Sequence, residues 1–198
     1  FFGRAAVLLG LVFLVIMFVN IIATGYSAFW QTFVRLPVHF DPQVIDPQGS
    51  GDREIFGSAD YRALVKESVR SLFPEIRGRR DRRDIAKLVS RGTTFQLRQM
   101  ILEDPALLGA KTEIWVPAND DYDMLSKGKV DRALPEADRR LSDREIGWFD
   151  KLLVEGRVES RFNVAFFSAG DSREPELAGI WGATMGSFFT LVVTLLLS

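Results

Sequence analysis

The chain has no cysteine and only one histidine, His39, among its 198 residues. The first absence excludes disulfides, a thiolate nucleophile and a thiolate metal site, and is compatible with any redox compartment. The second removes the partners that a hydrolase triad or a histidine metal site requires, so His39 reads as a strand residue. Nothing matches Gly-x-x-x-x-Gly-Lys-Ser/Thr or Gly-x-Gly-x-x-Gly, so this chain does not itself hydrolyse ATP by the P-loop route. Bulk charge is also missing: 25 basic against 26 acidic residues give a net −1. That balance lacks the basicity that nucleic-acid binding needs, and no nucleic-acid partner is expected.

What is present is unevenly placed. After Arg4 the next charge is Arg35, so Ala5–Val34 is a 30-residue stretch with none. The last charge is Glu176, and the 22 residues Leu177–Ser198 again carry none. The other 50 charges crowd into the 142 residues Arg35–Glu176. A plain soluble globule does not distribute charge this way, nor does the core of a transporter seen whole. The pattern fits a water-exposed domain between two membrane segments.

A bilayer core about 30 Å thick needs about 20 apolar helical residues. Ala5–Phe29 supplies 25, with Asn20 its only strongly polar side chain. Tyr26 and Trp30 stand at its end, where aromatic rings favour the membrane–water interface. A secretory signal peptide would have a shorter apolar run and a better cleavage site than Ala23-Thr24-Gly25, and a buried soluble helix would not need this length. Only Arg4 is left to bias topology by charge. The chain begins with Phe1 rather than Met and is still apolar at Ser198, so it is expected to continue on both sides. In the second apolar segment Gly182-Ala183-Thr184-Met185-Gly186 is a small-xxx-small pattern that lets another helix approach closely. Gly179 is expected to extend that face by one turn, making Gly179, Gly182 and Gly186 a candidate helix-packing face.

The middle reads as an α+β domain with four or five helices and about three strands. Phe33–Phe40 alternates like a strand, and Pro37 places it at a sheet edge. Asp41-Pro42, Asp46-Pro47 and Gly49-Ser50-Gly51 predict a loop. Ser58 is the expected cap of a helix through Phe73, stopped by Pro74. Helices are predicted over Asp81–Ser90 and Thr94–Glu103, a strand over Thr112–Val116, and a short helix from Asp120 or Asp121 to Ser126. Ser142-Asp143-Arg144-Glu145 is a capping box, with Gly156 at the far end of its helix. Arg157–Phe167 then alternates like a strand.

Two clusters invite chemistry. Asn119, Asp120, Asp121 and Asp123 lack the spacing and distal Glu of a calcium loop, and read as a helix cap with solvated acids. Arg79, Arg80, Arg82 and Arg83 are interleaved with Asp81 and Asp84; they read as a solvated helix start, with a partner-docking patch and a direct anion site as the alternatives. No residue is assigned a catalytic, cofactor-binding or metal-binding role, and the chain is not expected to be an enzyme.

The run Phe166-Phe167-Ser168-Ala169-Gly170-Asp171-Ser172-Arg173-Glu174-Pro175-Glu176, followed by Gly179-Ile180, Ala183 and Gly186-Ser187, resembles the opening of the transport core of phosphate ABC importer permeases. More narrowly it resembles the A-type permease subunit of the phosphate-specific transport system, in the variant with an extra N-terminal domain of unknown function. Upstream, Phe40-Asp41-Pro42, Asp60-Tyr61-Arg62-Ala63-Leu64, Gly78–Arg83, Trp115-Val116-Pro117-Ala118 and Pro135–Asp143 are similar to that variant as well. The resemblance implies a multi-pass protein of the bacterial inner membrane. Residues 1–30 would be the first transmembrane helix, 31–176 a periplasmic α+β domain, and 177–198 the start of the permease core. Its implied partners are a second permease subunit, a separate ATPase subunit reached through the later core, a periplasmic phosphate-binding protein and the lipid bilayer. The extra domain is expected to be an accessory docking or regulatory module that binds no phosphate itself. An extracytoplasmic sensor domain of a membrane receptor is the alternative that the same charge pattern allows.

Overall fold

A computed structural model describes residues 2–172 and 174–197 of the chain. α1 (Phe2–Gly25) runs into a 3-10 turn at Tyr26–Phe29. The stretch Ala6–Phe29 is long and apolar enough to cross a membrane, and none of it is buried within the chain. From that turn the chain passes directly into β1 (Trp30–His39).

Four short-to-medium helices follow β1, three of them started by an aspartate. In α2 (Pro42–Ile45) Asp41 accepts from the Gln43 N–H. In α3 (Arg53–Ser58) Asp52 accepts from Glu54, and in α4 (Tyr61–Ser71) Asp60 accepts from Ala63. An aspartate at this position satisfies N–H groups that the first turn leaves without partners. Two sequence expectations are corrected here. The Asp-Pro stretch is not simple loop, because Asp41 and Pro42 are themselves a helix-starting pair. Ser58 does not cap α4; it ends α3, its hydroxyl donating back to the Ile55 carbonyl.

α5 (Arg79–Ile85) is shorter than predicted, since Val89 leaves the helix to bridge Ala118 beside the sheet. α6 (Thr93–Glu103), β2 (Lys111–Pro117) and α7 (Asp120–Ser126) lie within a residue or two of expectation. α8 (Asp143–Val154) has the predicted capping box: Ser142 and Glu145 bond each other's backbone N–H. It ends at Gly156 with φ +66°, where the Gly156 and Arg157 N–H groups return to the Leu153 and Leu152 carbonyls.

β3 is Val158–Phe162 only. The predicted strand to Phe167 is corrected at Asn163, whose side chain accepts from the Phe166 N–H and starts α9 (Val164–Ser168). α10 (Trp181–Leu197) closes the described chain with 17 residues, about 25 Å at 1.5 Å per residue.

The three strands form one antiparallel sheet in the order β2-β1-β3. β1 is therefore central rather than an edge strand. Pro37 is tolerated because β3 pairs with β1 only over Trp30–Val34. Odd-numbered residues of β1 present their N–H toward β3, as Arg35 does to the Arg157 carbonyl. Pro37 lies beyond the end of β3, on the half of β1 that is an edge on that side.

One face of the sheet carries the core. Val34, Leu36, Val38 and Phe40 of β1, with Ile114 and Val116 of β2, pack against Leu64, Val65 and Val69 of α4 and Leu97 and Ile101 of α6. The opposite face is a polar lattice, in which Arg35 and Arg157 both reach Glu113 and the Arg161 guanidinium lies 4.4 Å from the centre of the Trp115 ring. The fold is thus an α+β domain with helices on one face of a small sheet, preceded by one long apolar helix.

Candidate functional site

Both apolar helices leave the domain at the same place. β1 begins at Trp30, directly after the first helix and its turn, and its register pairs Trp30 with Phe162 at the end of β3. The Asn163 N–H donates to the Phe29 carbonyl at 2.8 Å. α9 then supplies Phe166 and Phe167, which pack on Phe29 edge-on and face-on respectively, with centroids 5.6 and 5.7 Å away. Phe162 stacks on Phe167 at 5.6 Å and meets Trp30 edge-on at 6.2 Å. The chain reaches α10 through the same cluster: Ile180 N–H donates to Phe166, and Trp181 N–H to Ala169. Most of these rings stay partly exposed, Trp30, Phe162 and Trp181 among them. The result is a collar of aromatic rings around the point where two apolar helices enter and leave.

Tyr26 and Trp30 are visible in sequence as interface residues. Phe162, Phe166 and Phe167 are missed as a group, because a period-two reading distributes them over the two faces of a strand. The signal that could find them is Asn163, a helix-starting residue in the middle of the run.

Of the candidate packing face, Gly182 and Gly186 lie on α10 and Gly179 does not. Gly179 precedes the helix, and a Cβ there would collide with the carbonyl oxygens of Ala165 and Ala169. Its role is close backbone approach, which lets the chain turn from α9 into α10. Gly186 faces open space, and a Cβ on Gly182 would make only ordinary contact with Gly170 and Asp171.

The arginine run is exposed along one side of α5. α5 turns about 100° per residue, so Arg79, Arg80, Arg82 and Arg83 spread over an arc of about 160°. Arg82 donates back to the Ile76 carbonyl at 3.2 Å. Arg80 and Arg83 border a 220 Å³ cleft between α5 and the start of α8, where Asp81 pairs with Arg144 at 2.8 Å. Signs are mixed there, because Asp84, Glu136 and Glu145 also line it. The Lys87 ammonium, 2.8 Å from Asp84, donates to that carboxyl and is the main cause of its lowered pKa.

Arg83 has a second neighbourhood. With Arg62 and Lys66 of α4, and with Lys87 and Arg91 between α5 and α6, it lines a 480 Å³ cleft whose walls, among the described residues, include no carboxylate. The members of this group come from two separated segments, 62–66 and 83–91, which only packing brings together.

The acidic cluster is structural. Asn119 caps α7 by accepting from Asp121, and Asp120 and Asp121 both face Arg140. Asp123 is buried; it accepts from the Thr32 N–H at 2.8 Å and pairs with Lys127. Among the described residues no group of three or more His, Asp or Glu side chains could hold a metal ion. His39 sits exposed at the end of β1.

A family model described as a domain of unknown function (DUF3333) matches residues 1–136, from α1 through β2 and α7. The chain belongs to that family. No curated protein and no solved structure matches it.

Proposed function

We propose that this chain is the N-terminal part of the membrane permease subunit of an ATP-driven inorganic phosphate importer. In this reading α1 and α10 are transmembrane helices of the bacterial inner membrane, and the α+β domain stands between them on the periplasmic side. The observation that carries the membrane arrangement is the collar: Phe29, Trp30, Phe162, Phe166 and Phe167 gather where both apolar helices meet the domain. A domain held on one side of a bilayer by two crossing helices needs both to depart from one end, and the exposed Tyr26, Trp30 and Trp181 there are amphipathic rings that favour the interface. The transport assignment is supported by the likeness of Phe166–Ser187 to the opening of a phosphate permease core.

The domain itself acts as an accessory module. It offers docking surface to the periplasmic phosphate-binding protein or to the second permease subunit, and leaves ATP hydrolysis to a separate subunit. The test is uptake of radiolabelled phosphate by cells whose sole phosphate permease contains this chain. ATP-dependent uptake that disappears on deleting the encoding gene supports the reading. Unchanged uptake, with loss of a signalling response instead, would assign the domain to a receptor.

A further inference from the structure

The cleft between α4 and the segment from α5 to α6 has a cationic rim and an apolar floor. Arg62 and Lys66 stand one turn apart on α4, facing Arg83, Lys87 and Arg91. Asp84 pairs with Lys87 at 2.8 Å and Glu174 with Arg91 at 3.4 Å. Arg62 and Lys66 have no carboxylate within ion-pair distance among the described residues, and Arg83 has Asp84 near it but not ion-paired to it, so the five cations outnumber the acids beside them. Beneath them lie Val65, Ala86 and Val89. A small, fully hydrated anion has no use for that floor, whereas an anionic group carried on an apolar body matches both parts.

The cleft also lies close to where the chain enters its second apolar helix. Its Arg91 end is tied to Glu174, and Gly92 is packed so closely by Leu177 that a Cβ there would overlap the leucine methyl groups. Trp181, the first residue of α10, follows Leu177 by only four positions, a span of at most about 14 Å. This brings the cationic rim near the depth of lipid headgroups, just outside the hydrocarbon core.

We infer that this cleft binds the phosphate of an anionic phospholipid headgroup at the membrane surface. The guanidinium groups of Arg62, Arg83 and Arg91 supply paired N–H donors to the phosphate oxygens, and Lys66 and Lys87 add charge. Val65 and Val89 receive the start of the glycerol and acyl portion. The inference rests on the reading that α1 and α10 are membrane-inserted.

The experiment uses the full chain in nanodiscs of phosphatidylcholine alone and of phosphatidylcholine mixed with phosphatidylglycerol, with the lipids retained after detergent extraction counted by native mass spectrometry. Phosphatidylglycerol is expected to be enriched over its bulk share by about fivefold or more, the worth of roughly one cation at an anionic surface. The triple variant Arg62→Gln, Lys66→Gln, Arg91→Gln should fall to the bulk ratio. Arg53→Gln, Arg70→Gln, Lys129→Gln, an equal loss of charge at exposed sites outside the cleft, should keep the enrichment. Arg62→Lys, Arg91→Lys, which keeps the charge, should retain part of it if the triple variant fails to fold. Equal retention of the two lipids, or equal loss in both triple variants, overturns the inference. So does saturable binding of inorganic phosphate in phosphatidylcholine discs, lost in the cleft variant, without lipid enrichment. Failure to co-elute with phosphatidylcholine discs would overturn the membrane reading itself; co-elution without lipid preference would overturn the headgroup site alone.

Discussion

Phe29 lies face to face with Phe167, ring planes 13° from parallel and centroids 5.7 Å apart, so the end of the first apolar helix is joined to the approach to the second. The two rings also share Phe166, which meets both edge-on. Aromatic pairs add about 0.5–1.5 kcal/mol beyond the area they bury. Phe167→Ala removes three ring contacts at once and is expected to cost about 2 kcal/mol, read as a lower midpoint of thermal unfolding in detergent. Phe167→Leu should recover part of the loss by keeping the apolar volume.

Asp123 ties the sheet to α7. Its carboxylate is buried, accepts from the Thr32 N–H and pairs with Lys127. Asp123→Ala strands a buried backbone N–H and a partly buried ammonium, and should lower stability by about 3 kcal/mol in urea unfolding. Asp123→Asn keeps an acceptor for Thr32 and should lose less.

Acid is expected to loosen the loop after α2. Asp46 accepts N–H bonds, the largest effect coming from Gly51, with Ser50 and Gly49 adding to it, and these hold its carboxyl below the usual carboxylate range. A depressed folded pKa contributes stability that is present above the unfolded value, near 4, and lost as pH falls through the folded one. Thermal midpoints should therefore fall more steeply below about pH 4 in the native protein than in Asp46→Asn. Identical pH profiles would remove Asp46 from the account.

The two glycine environments separate fold from assembly. Gly179→Ala drives a methyl into the Ala165 and Ala169 carbonyls and should cost about 1–3 kcal/mol. Gly186→Ala meets open space and should leave the chain as stable or slightly more so. Gly186→Leu should still fold yet fail to co-purify with a partner subunit if α10 packs through this face.

The arginine run is tested by charge reversal. Arg79, Arg80, Arg82 and Arg83 replaced together by Glu should weaken docking of the periplasmic phosphate-binding protein and slow uptake at low phosphate. Unchanged uptake kinetics would confine these residues to a solvated helix.

Much of the fold is legible in the sequence because its signals are local. The capping box of α8, the Gly156 stop and the alternation of Val34, Leu36 and Val38 each follow from a few adjacent residues. What is misread depends on partners distant in sequence. Pro37 marks an edge, but only of the half of β1 that β3 leaves uncovered. Period two carries the strand reading past Asn163, although that side chain starts a helix. The site features behave the same way. Arg79 to Arg83 are visible as a string because they are adjacent, whereas Arg62 and Lys66 are joined to Arg83, Lys87 and Arg91 only by packing.

The most direct test of the account is which side of the membrane the domain occupies. These 198 residues lack cysteine, so Lys129→Cys in the exposed loop after α7 and Gly3→Cys before the apolar run of α1 each place a single thiol in this stretch, in a background with any thiol elsewhere replaced by serine. Spheroplasts carrying one variant or the other are treated with a membrane-impermeant maleimide before and after lysis. The account predicts that the Lys129→Cys variant is labelled in intact spheroplasts and the Gly3→Cys variant only after lysis. Labelling of the Gly3→Cys variant in intact spheroplasts, or protection of the Lys129→Cys variant until lysis, would contradict it.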